Sequence, residues 1–370
     1  IGYNIIKEIE IMNRVINFSA GPSQMSDKVL KKASEQMLNY NQTGQSIMEM
    51  SHRSAEFVEV FNSCKSKLIK LMNIPENYEV LFLQGGASTQ FTMVPMNLLG
   101  KHKKAAFINT GAWSKKAIGE MKKFGEAVVV ASSEDDTFSY IPKDYEIPED
   151  VDYFYICENN TIYGTKYKEL PDTKGLPLVA DLSSCILSEA IDVSKYGIIF
   201  AGAQKNMGMA GLTVVIVRKD LIKDDTTLPS MLSYKVQADN DSMFNTPPTY
   251  AIYILGLVLE WIEEEFGSLE NLGKYNQEKA QILYDYLDQS KLFKGTVAKE
   301  DRSLMNVPFV TGDAELDAKF VKEAKAKGMV NLKGHRSVGG MRASIYNAMS
   351  KEGVETLVAF MKEFEEENTK

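Results

Sequence analysis

The sequence is poor in cysteine, histidine and tryptophan, and it contains no long apolar run. Its 370 residues include three cysteines, three histidines and two tryptophans. The scattered cysteines match neither a disulfide framework nor a metal-binding spacing, which is typical of a chain from a reducing compartment. No apolar stretch reaches the roughly 20 residues that a transmembrane helix needs. We therefore expect a cytoplasmic protein that binds no metal and no membrane.

An excess of positive charge is also missing. Lysine and arginine total 42 against 50 aspartates and glutamates, which gives a formal net charge of −8. This balance argues against a general nucleic-acid binder. The hydrophobic share of 44% is ordinary for a globular chain, and the length allows one large and one smaller domain. We expect residues 1–11 to be either an N-terminal extension or an artefact of the expressed sequence, before a native start at Met12.

Short apolar runs alternate with helix-like stretches from about residue 80 to 217. Continuous apolar runs predict strands that are buried on both faces of a mostly parallel α/β sheet. The later segments predict helices at 250–266, 272–287 and 353–366 and two strands, which is typical of a small α+β domain. We therefore expect a large domain at 27–265 and a small domain made of 12–26 and 266–370. The seven apolar runs are 80–83, 105–108, 127–130, 153–156, 178–180, 197–200 and 213–217.

Lys205 differs from the other lysines because no other charged residue lies between Tyr196 and Val217. It follows one predicted strand on a turn of small residues, and Asp181 ends another predicted strand. A lysine can form a Schiff base with pyridoxal 5'-phosphate (PLP), and an acid can keep the pyridine ring protonated. The alternative is a solvated surface lysine. We predict that Lys205 and Asp181 are the catalytic residues of a PLP site.

Three loops next to predicted elements are candidates for holding this cofactor. Ala87 and Ser88 follow a Gly-Gly pair between a strand and a helix, where backbone N–H groups can bind a phosphate; a simple turn is the alternative. Trp113 follows the next strand and can either stack on a flat ring or anchor a helix in the core. Asn245 and Thr246 can cap the next helix or reach a phosphate.

Arginines in segments rich in small residues predict a substrate with two anionic groups. Arg53 and Arg336 each follow a histidine, His52 and His335, and Arg342 lies in a strand-like run of small and apolar residues. The planar guanidinium binds a carboxylate or phosphate through two parallel contacts. The alternative is a set of surface salt bridges, which is the usual environment of arginine.

Together these residues resemble the phosphoserine aminotransferase family, whose members are PLP-dependent enzymes of fold type I. The resemblance spans the chain from Met12 to the C-terminus. Its most specific part is 334–348, in which the His335-Arg336 pair precedes Gly-Gly-Met-Arg. It implies an α/β fold with a mostly parallel mixed seven-stranded sheet in the large domain. The blocks that carry the resemblance are 17–22, 51–53, 201–206, 243–248 and 334–348.

The resemblance also implies a role for each cofactor residue. Lys205 would hold the cofactor as a Schiff base and move the substrate proton, Asp181 would contact the ring nitrogen, and Trp113 would stack on the ring. Thr161 would also contact the cofactor. Some members of the family carry an arginine in the phosphate loop, which this chain lacks, so the detailed phosphate contacts at Ala87 and Ser88 stay open. The phosphate would be held by Ala87, Ser88 and Gln204, with Asn245 and Thr246 reaching in from the partner subunit of a homodimer.

The substrates that the resemblance implies are O-phospho-L-serine and 2-oxoglutarate, converted reversibly to 3-phosphooxypyruvate and L-glutamate in serine biosynthesis. Arg342 would bind the α-carboxylate, and Arg53, His335 and Arg336 would bind the distal anion, with His52 nearby. Whether 4-phosphohydroxy-L-threonine is also used, in pyridoxine synthesis, stays open. The alternatives are another fold type I enzyme, such as a serine–glyoxylate aminotransferase or a cysteine desulfurase, and a non-catalytic anion-binding protein.

Overall fold

The computed structural model describes residues 14–369, so the expectations about residues 1–11 and Met12 lie outside the described residues. The strands are β1 (Ile16–Asn17), β2 (Tyr78–Leu83), β3 (Lys104–Asn109), β4 (Glu126–Ser132), β5 (Tyr153–Cys157), β6 (Leu178–Asp181), β7 (Ile198–Gly202), β8 (Thr213–Arg218), β9 (Lys294–Gly295), β10 (Asn306–Val310), β11 (Met329–Val330) and β12 (Met341–Ser344). The α-helices are α1 (Asp27–Glu35), α2 (Ala55–Leu71), α3 (Gly86–Leu98), α4 (Ala112–Met121), α5 (Tyr234–Asp239), α6 (Thr249–Phe266), α7 (Leu269–Gln289), α8 (Ala314–Ala326) and α9 (Lys351–Asn368).

A mixed seven-stranded sheet forms the centre of the larger part of the fold. Its strand order is β2-β8-β7-β6-β5-β3-β4. β8 is antiparallel to both of its neighbours, β2 and β7, and the remaining pairs are parallel. Each of the seven apolar runs forms one of these strands. The expected α/β class with a mostly parallel mixed sheet is therefore confirmed.

Helices cover both faces of this sheet because its strands are apolar at nearly every position. On β2, Val80 and Phe82 pack into a buried cluster with α1, α2 and α6, whereas Leu81 and Leu83 pack into another with α3 and α4. Successive side chains of a strand point to opposite faces, so a run without alternation fits a sheet that is covered on both sides. β4 differs from the expectation, because it lies at the sheet edge and leaves Val129 44% exposed.

The C-terminal segments form a second, smaller core. β12, β10 and β9 make an antiparallel sheet in that order, and β1 pairs with β11 in parallel. Side chains from these strands pack with α8, α9 and the second half of α7. Within α7, Leu272 belongs to the larger core and Ala280 to the smaller one. This helix therefore joins the two cores, and the domain limits 27–265 and 12–26 with 266–370 remain our proposal.

Polar residues decide where the late helices begin. The apolar spacing predicts a helix from residue 272, but α7 starts at Leu269 because the Ser268 side chain accepts a hydrogen bond from Asn271 N. In the same way, Ser350 accepts from Gly353 N and starts α9 at Lys351. None of the helices described for residues 14–369 has both the length and the apolarity that crossing a bilayer requires.

Candidate active site

The carboxyl ends of the parallel strands meet at one edge of the sheet and surround a cavity of about 290 Å³. Ligands of open α/β sheets bind at this edge. The loops after β2, β3, β5, β6 and β7 each bring residues to its wall. Of the predicted site residues, those that line the cavity are Ala87, Ser88, Trp113, Thr161, Asp181, Gln204, Lys205, His335 and Arg342.

Lys205 follows β7 and lines the cavity next to Ala20 and Gly21 of the N-terminal segment. Its Nζ donates a hydrogen bond to Thr161 Oγ1 at 2.7 Å, and its main-chain carbonyl accepts one from Ser23 Oγ at 2.7 Å. Burial lowers the pKa of Lys205, and the negative charge of Asp181 partly offsets that lowering. A lysine with a lowered pKa has a larger neutral fraction, which makes its amine a better nucleophile and base.

Asp181 ends β6 and is 4% exposed. Its Oδ1 accepts a hydrogen bond from Ser183 N at 2.9 Å. Burial raises the pKa of Asp181, while the Ser183 hydrogen bonds and the Lys205 charge act in the opposite direction. A buried carboxylate is stabilised when a cationic or protonated partner approaches it. Asp181 is therefore suited to a ligand that carries an N–H⁺ group.

The start of α3 is open to the cavity. Gly85 precedes the helix with a φ of +90°, and within residues 14–369 no side chain caps the helix at this position. Gly86 N donates to Thr213 Oγ1 at 2.8 Å, which leaves the next amides, at Ala87 and Ser88, in the first turn of the helix. The first N–H groups of a helix have no partner within it and attract anions.

Trp113 lies in the first turn of α4 and presents its indole to the cavity. The Lys116 Nζ lies 4.4 Å from the centroid of this ring, a cation–π arrangement that holds the indole plane. The Trp113 Nε1 atom is buried and has no hydrogen-bond acceptor in the described part of the chain. Gly111 precedes it closely, and a Cβ added there would lie 2.8 Å from the ring of Tyr163.

Two basic residues from the C-terminal segments complete the cavity wall. Arg342 on β12 donates from Nη1 to the carbonyl of Thr161 at 3.2 Å, and its buried Nε has no acceptor among residues 14–369. His335 is exposed, and its Nδ1 lies 2.7 Å from Ser337 Oγ. Burial lowers the pKa of His335, and the positive charges of Arg342, Arg336 and Lys116 lower it further. This part of the wall therefore carries a positive field that favours anions.

The structure does not bring the other predicted residues to the cavity of their own chain. His52 and Arg53 lie just before α2, and Arg53 is exposed, as is Arg336. Asn245 and Thr246 are exposed before α6, and Thr246 accepts a hydrogen bond through its carbonyl from Gln84 Nε2 at 3.3 Å. Their roles stay predictions.

Several residues that line the cavity were not predicted. Asn159 lies two positions before Thr161, and Ser183 and Ser184 follow Asp181. Their closeness in sequence to predicted site residues is the signal that could have identified them. The N-terminal Ala20 and Gly21 belong to one of the blocks that carry the family resemblance. Cys157 also faces the cavity; burial raises the pKa of its thiol well above the usual value, so it is a poor nucleophile. The full set is Ala20, Gly21, Gly86, Cys157, Asn159, Ile162, Ser183 and Ser184.

Comparison with known proteins identifies the family. The family model of class-V aminotransferases matches residues 15–357. The phosphoserine aminotransferase of Listeria monocytogenes is 57% identical over 355 residues, which cover 95% of this chain and 97% of that protein.

Solved structures agree with that match. The phosphoserine aminotransferase of Bacillus circulans subsp. alkalophilus superposes with a TM-score of 0.94 at 45% identity, covering 96% of this chain and 99% of that one. The PLP-bound phosphoserine aminotransferase of Trichomonas vaginalis gives a TM-score of 0.90 at 39% identity, covering 94% of this chain and 100% of that one. The chain therefore belongs to the class-V aminotransferases and, within them, to the phosphoserine aminotransferase family.

Proposed function

We propose that this aminotransferase uses PLP to transfer the amino group of O-phospho-L-serine to 2-oxoglutarate, reversibly giving 3-phosphooxypyruvate and L-glutamate in serine biosynthesis. The single observation that carries the proposal is one cavity that contains the Lys205 amine, the buried Asp181 carboxylate and the Arg342 guanidinium. The family relationship supports the same reaction.

The donor set of the cavity fits PLP. The open start of α3 offers the amides of Ala87 and Ser88 to a phosphate, the Trp113 indole offers a flat surface, and Asp181 offers a carboxylate with a raised pKa to a ring N–H⁺. Bound PLP supplies an electron-accepting ring for the carbon that loses its proton. The remaining cofactor contacts that we propose are at Thr161 and Gln204, and at Asn245 and Thr246 from a second subunit.

Lys205 is the base and the point of attachment in this proposal. Its lowered pKa leaves more of the amine neutral, so it can condense with an aldehyde, releasing water, and, once an incoming amine has replaced it there, accept a proton from the substrate Cα. The hydrogen bond from Nζ to Thr161 Oγ1 orients the amine.

The positive side of the cavity selects substrates that have two anionic ends. Arg342 binds the α-carboxylate that phosphoserine and glutamate share, through its Nε and Nη groups. His335 and Arg336 bind the distal phosphate or carboxylate, and Arg53, with His52 nearby, adds to that site. A bound dianion raises the pKa of His335 and so favours its charged form.

We further propose that the enzyme works as a homodimer in the cytoplasm. Asn245 and Thr246 are exposed and lie outside the cavity of their own chain, which suits delivery to a second copy. Two large apolar side chains are also exposed: Phe244, next to Asn245 in sequence, is 45% exposed, and Met48, four positions before His52, is 57% exposed. The cysteines Cys64, Cys157 and Cys185 are free and buried, which suits a reducing compartment.

A coupled assay with purified protein tests the reaction. We expect turnover with phosphoserine and 2-oxoglutarate, much slower turnover with unphosphorylated serine, and loss of both turnover and the visible absorbance of the PLP-treated protein in Lys205→Ala. Lys219→Ala, which changes an exposed lysine, is the control and should behave like the wild type. Equal rates with serine and phosphoserine, or faster turnover of serine with glyoxylate, would refute the proposed substrate.

A further inference from the structure

A chain of buried polar side chains connects the cavity wall to the strand that carries Arg342. Asn306, at the start of β10, accepts through Oδ1 from Asn159 Nδ2 at 2.9 Å. Through Nδ2 it donates to Ser344 Oγ at 3.0 Å and to Tyr346 Oη at 3.1 Å. All four side chains are at most 2% exposed. The amide of Asn306 therefore uses two donor bonds and one acceptor bond, and it joins the two cores of the protein.

The register of the small sheet places Arg342 next to this chain. β10 and β12 are antiparallel, with Asn306 opposite Ser344 and Pro308 opposite Arg342. Residues two apart on a strand share a face, so Arg342 and Ser344 project from the same side of β12. The hydrogen bond between Asn306 and Ser344 therefore also helps to fix the position of the Arg342 side chain on β12.

The other end of the chain is anchored in the cavity wall itself. Asn159 Nδ2 also donates to Ser184 Oγ at 2.8 Å, and Asn159 Oδ1 accepts from Ser303 Oγ at 2.5 Å. Tyr346 Oη donates to the carbonyl of Ala20 at 2.8 Å. Asn159, Ser184 and Ala20 line the same cavity as Lys205. β12 is thus tied to two separate parts of that wall.

These contacts set the distance between the Arg342 guanidinium, which binds the substrate carboxylate, and the Lys205 amine, which accepts the substrate proton. Arg342 Nη1 lies 3.2 Å from the Thr161 carbonyl, and Thr161 Oγ1 lies 2.7 Å from Lys205 Nζ. Loss of the Asn306 amide would leave buried partners without hydrogen bonds, which is unfavourable, so the network enforces a single arrangement. A substrate held at its carboxylate by Arg342 presents its Cα to Lys205 only if that arrangement is kept.

We propose that Asn306 is a positioning residue for amino transfer: by joining Ser344 on β12 and the following Tyr346 to Asn159 in the cavity wall, it sets Arg342 at the distance from Lys205 that the substrate requires. This inference rests on the proposed function, because it assigns the α-carboxylate to Arg342. Asn306 itself touches no substrate.

The test compares Asn306→Leu with Asn97→Leu. Asn97 is a matched control, because it is 5% exposed and its amide also makes two donor bonds, to the carbonyls of Met93 and Leu232, and one acceptor bond, from Tyr234 N, but it lies in α3 away from the cavity. We expect Asn306→Leu to raise KM for phosphoserine and for glutamate about tenfold each, with a smaller change in kcat. Asn97→Leu should leave both KM values within about twofold of the wild type.

A double-mutant cycle separates positioning from general stability. If Asn306 acts through Arg342, adding Asn306→Leu to Arg342→Ala should reduce kcat/KM by less than about twofold further, because the group being positioned is already gone. If the losses of kcat/KM in the two single variants instead multiply in the double variant, the proposal is wrong. Should Asn306→Leu not fold, Tyr346→Phe removes two bonds of the same network, the one from Asn306 Nδ2 and the one to the Ala20 carbonyl, and leaves the Asn306–Ser344 bond in place. It should give a smaller rise in both KM values; an unchanged KM there would also overturn the proposal.

Hydrogen–deuterium exchange of the cofactor-free protein gives a readout that does not depend on activity. Amide exchange in residues 341–346 should become about tenfold faster in Asn306→Leu and stay unchanged in Asn97→Leu. Unchanged exchange at 341–346 would refute the pinning. If the wild type does not transaminate phosphoserine but amide exchange at 341–346 is faster in Asn306→Leu, the proposed function is wrong, whereas the role of Asn306 in holding β12 is supported.

Discussion

Lys279→Met tests how a buried lysine makes stability depend on pH. Lys279 lies in α7, is 0% exposed, and donates from Nζ to Asn276 Oδ1 at 2.9 Å and to the carbonyls of Tyr346 at 2.9 Å and Met349 at 3.1 Å. Within residues 14–369, no acid forms an ion pair with it. Burial lowers the pKa of Lys279 from its usual 10.5 to about 7, and the nearby charge of Lys351 adds to the lowering.

The magnitude follows from proton linkage. In the unfolded chain the amine of Lys279 keeps its usual pKa, so between about pH 7 and 10.5 the unfolded state binds more protons than the native state. The native state is therefore stabilised as pH rises through this window, by roughly 1.4 kcal/mol for each pKa unit of difference and about 5 kcal/mol in total. From about pH 7.5 to 9.5 the expected gain is on the order of 2 to 3 kcal/mol, and methionine, which does not titrate, has none.

Urea unfolding of the cofactor-free protein at several pH values measures this effect. We expect the free energy of unfolding of the wild type minus that of Lys279→Met to grow by roughly 2 to 3 kcal/mol from pH 7.5 to 9.5. Lys65→Met is the control: burial lowers the pKa of Lys65, but ion pairs with Glu79 and Asp241 raise it above its usual value. Its difference curve should therefore be flat. Parallel pH curves for the wild type and Lys279→Met would refute a lowered pKa at this position.

Three further predictions concern the cavity and the proposed site for the distal anion. Gly21→Ala should lower kcat by about tenfold or more, because Gly21 has a φ of +135° and an added Cβ would lie 3.2 Å from Lys205 Cγ; a wild-type single-turnover rate would contradict this. Asp181→Asn should lower kcat on the order of a hundredfold, because the neutral amide keeps the shape but loses the charge; steady-state assays at matched cofactor saturation measure it. Arg336→Ala should raise KM for phosphoserine about tenfold and KM for glutamate less, because a phosphate carries more charge than a carboxylate; equal changes would argue against a distal phosphate site.

The hydrophobic pattern predicted the fold well where one face or both faces of an element are buried. All seven apolar runs form strands, and all but β4 are buried between two layers of helices, as a run without alternation predicts. The position of β4 at the edge was not predictable, because Val128, Val129 and Val130 read like an interior strand. Strand order depends on how crossovers pack, which is a property of the whole chain. Helix starts such as Leu269 depended on a cap, Ser268, rather than on apolar spacing.

The sequence by itself determined the chemistry of the site: a lysine without charged neighbours, an acid at a strand end, a glycine-rich helix start and arginines among small residues. These signals are local, because each depends on one residue type and on its neighbours in sequence near the end of one strand. Tertiary structure alone decided which of them share a cavity. The pairing of β10 with β12 placed Arg342 beside Thr161. Asn245 and Thr246 lie outside the cavity of their own chain. Asn159 and Asn306, which are 147 positions apart in sequence, form a hydrogen bond. Such contacts join distant parts of the chain, and only the packing of the two cores brings them within hydrogen-bond distance.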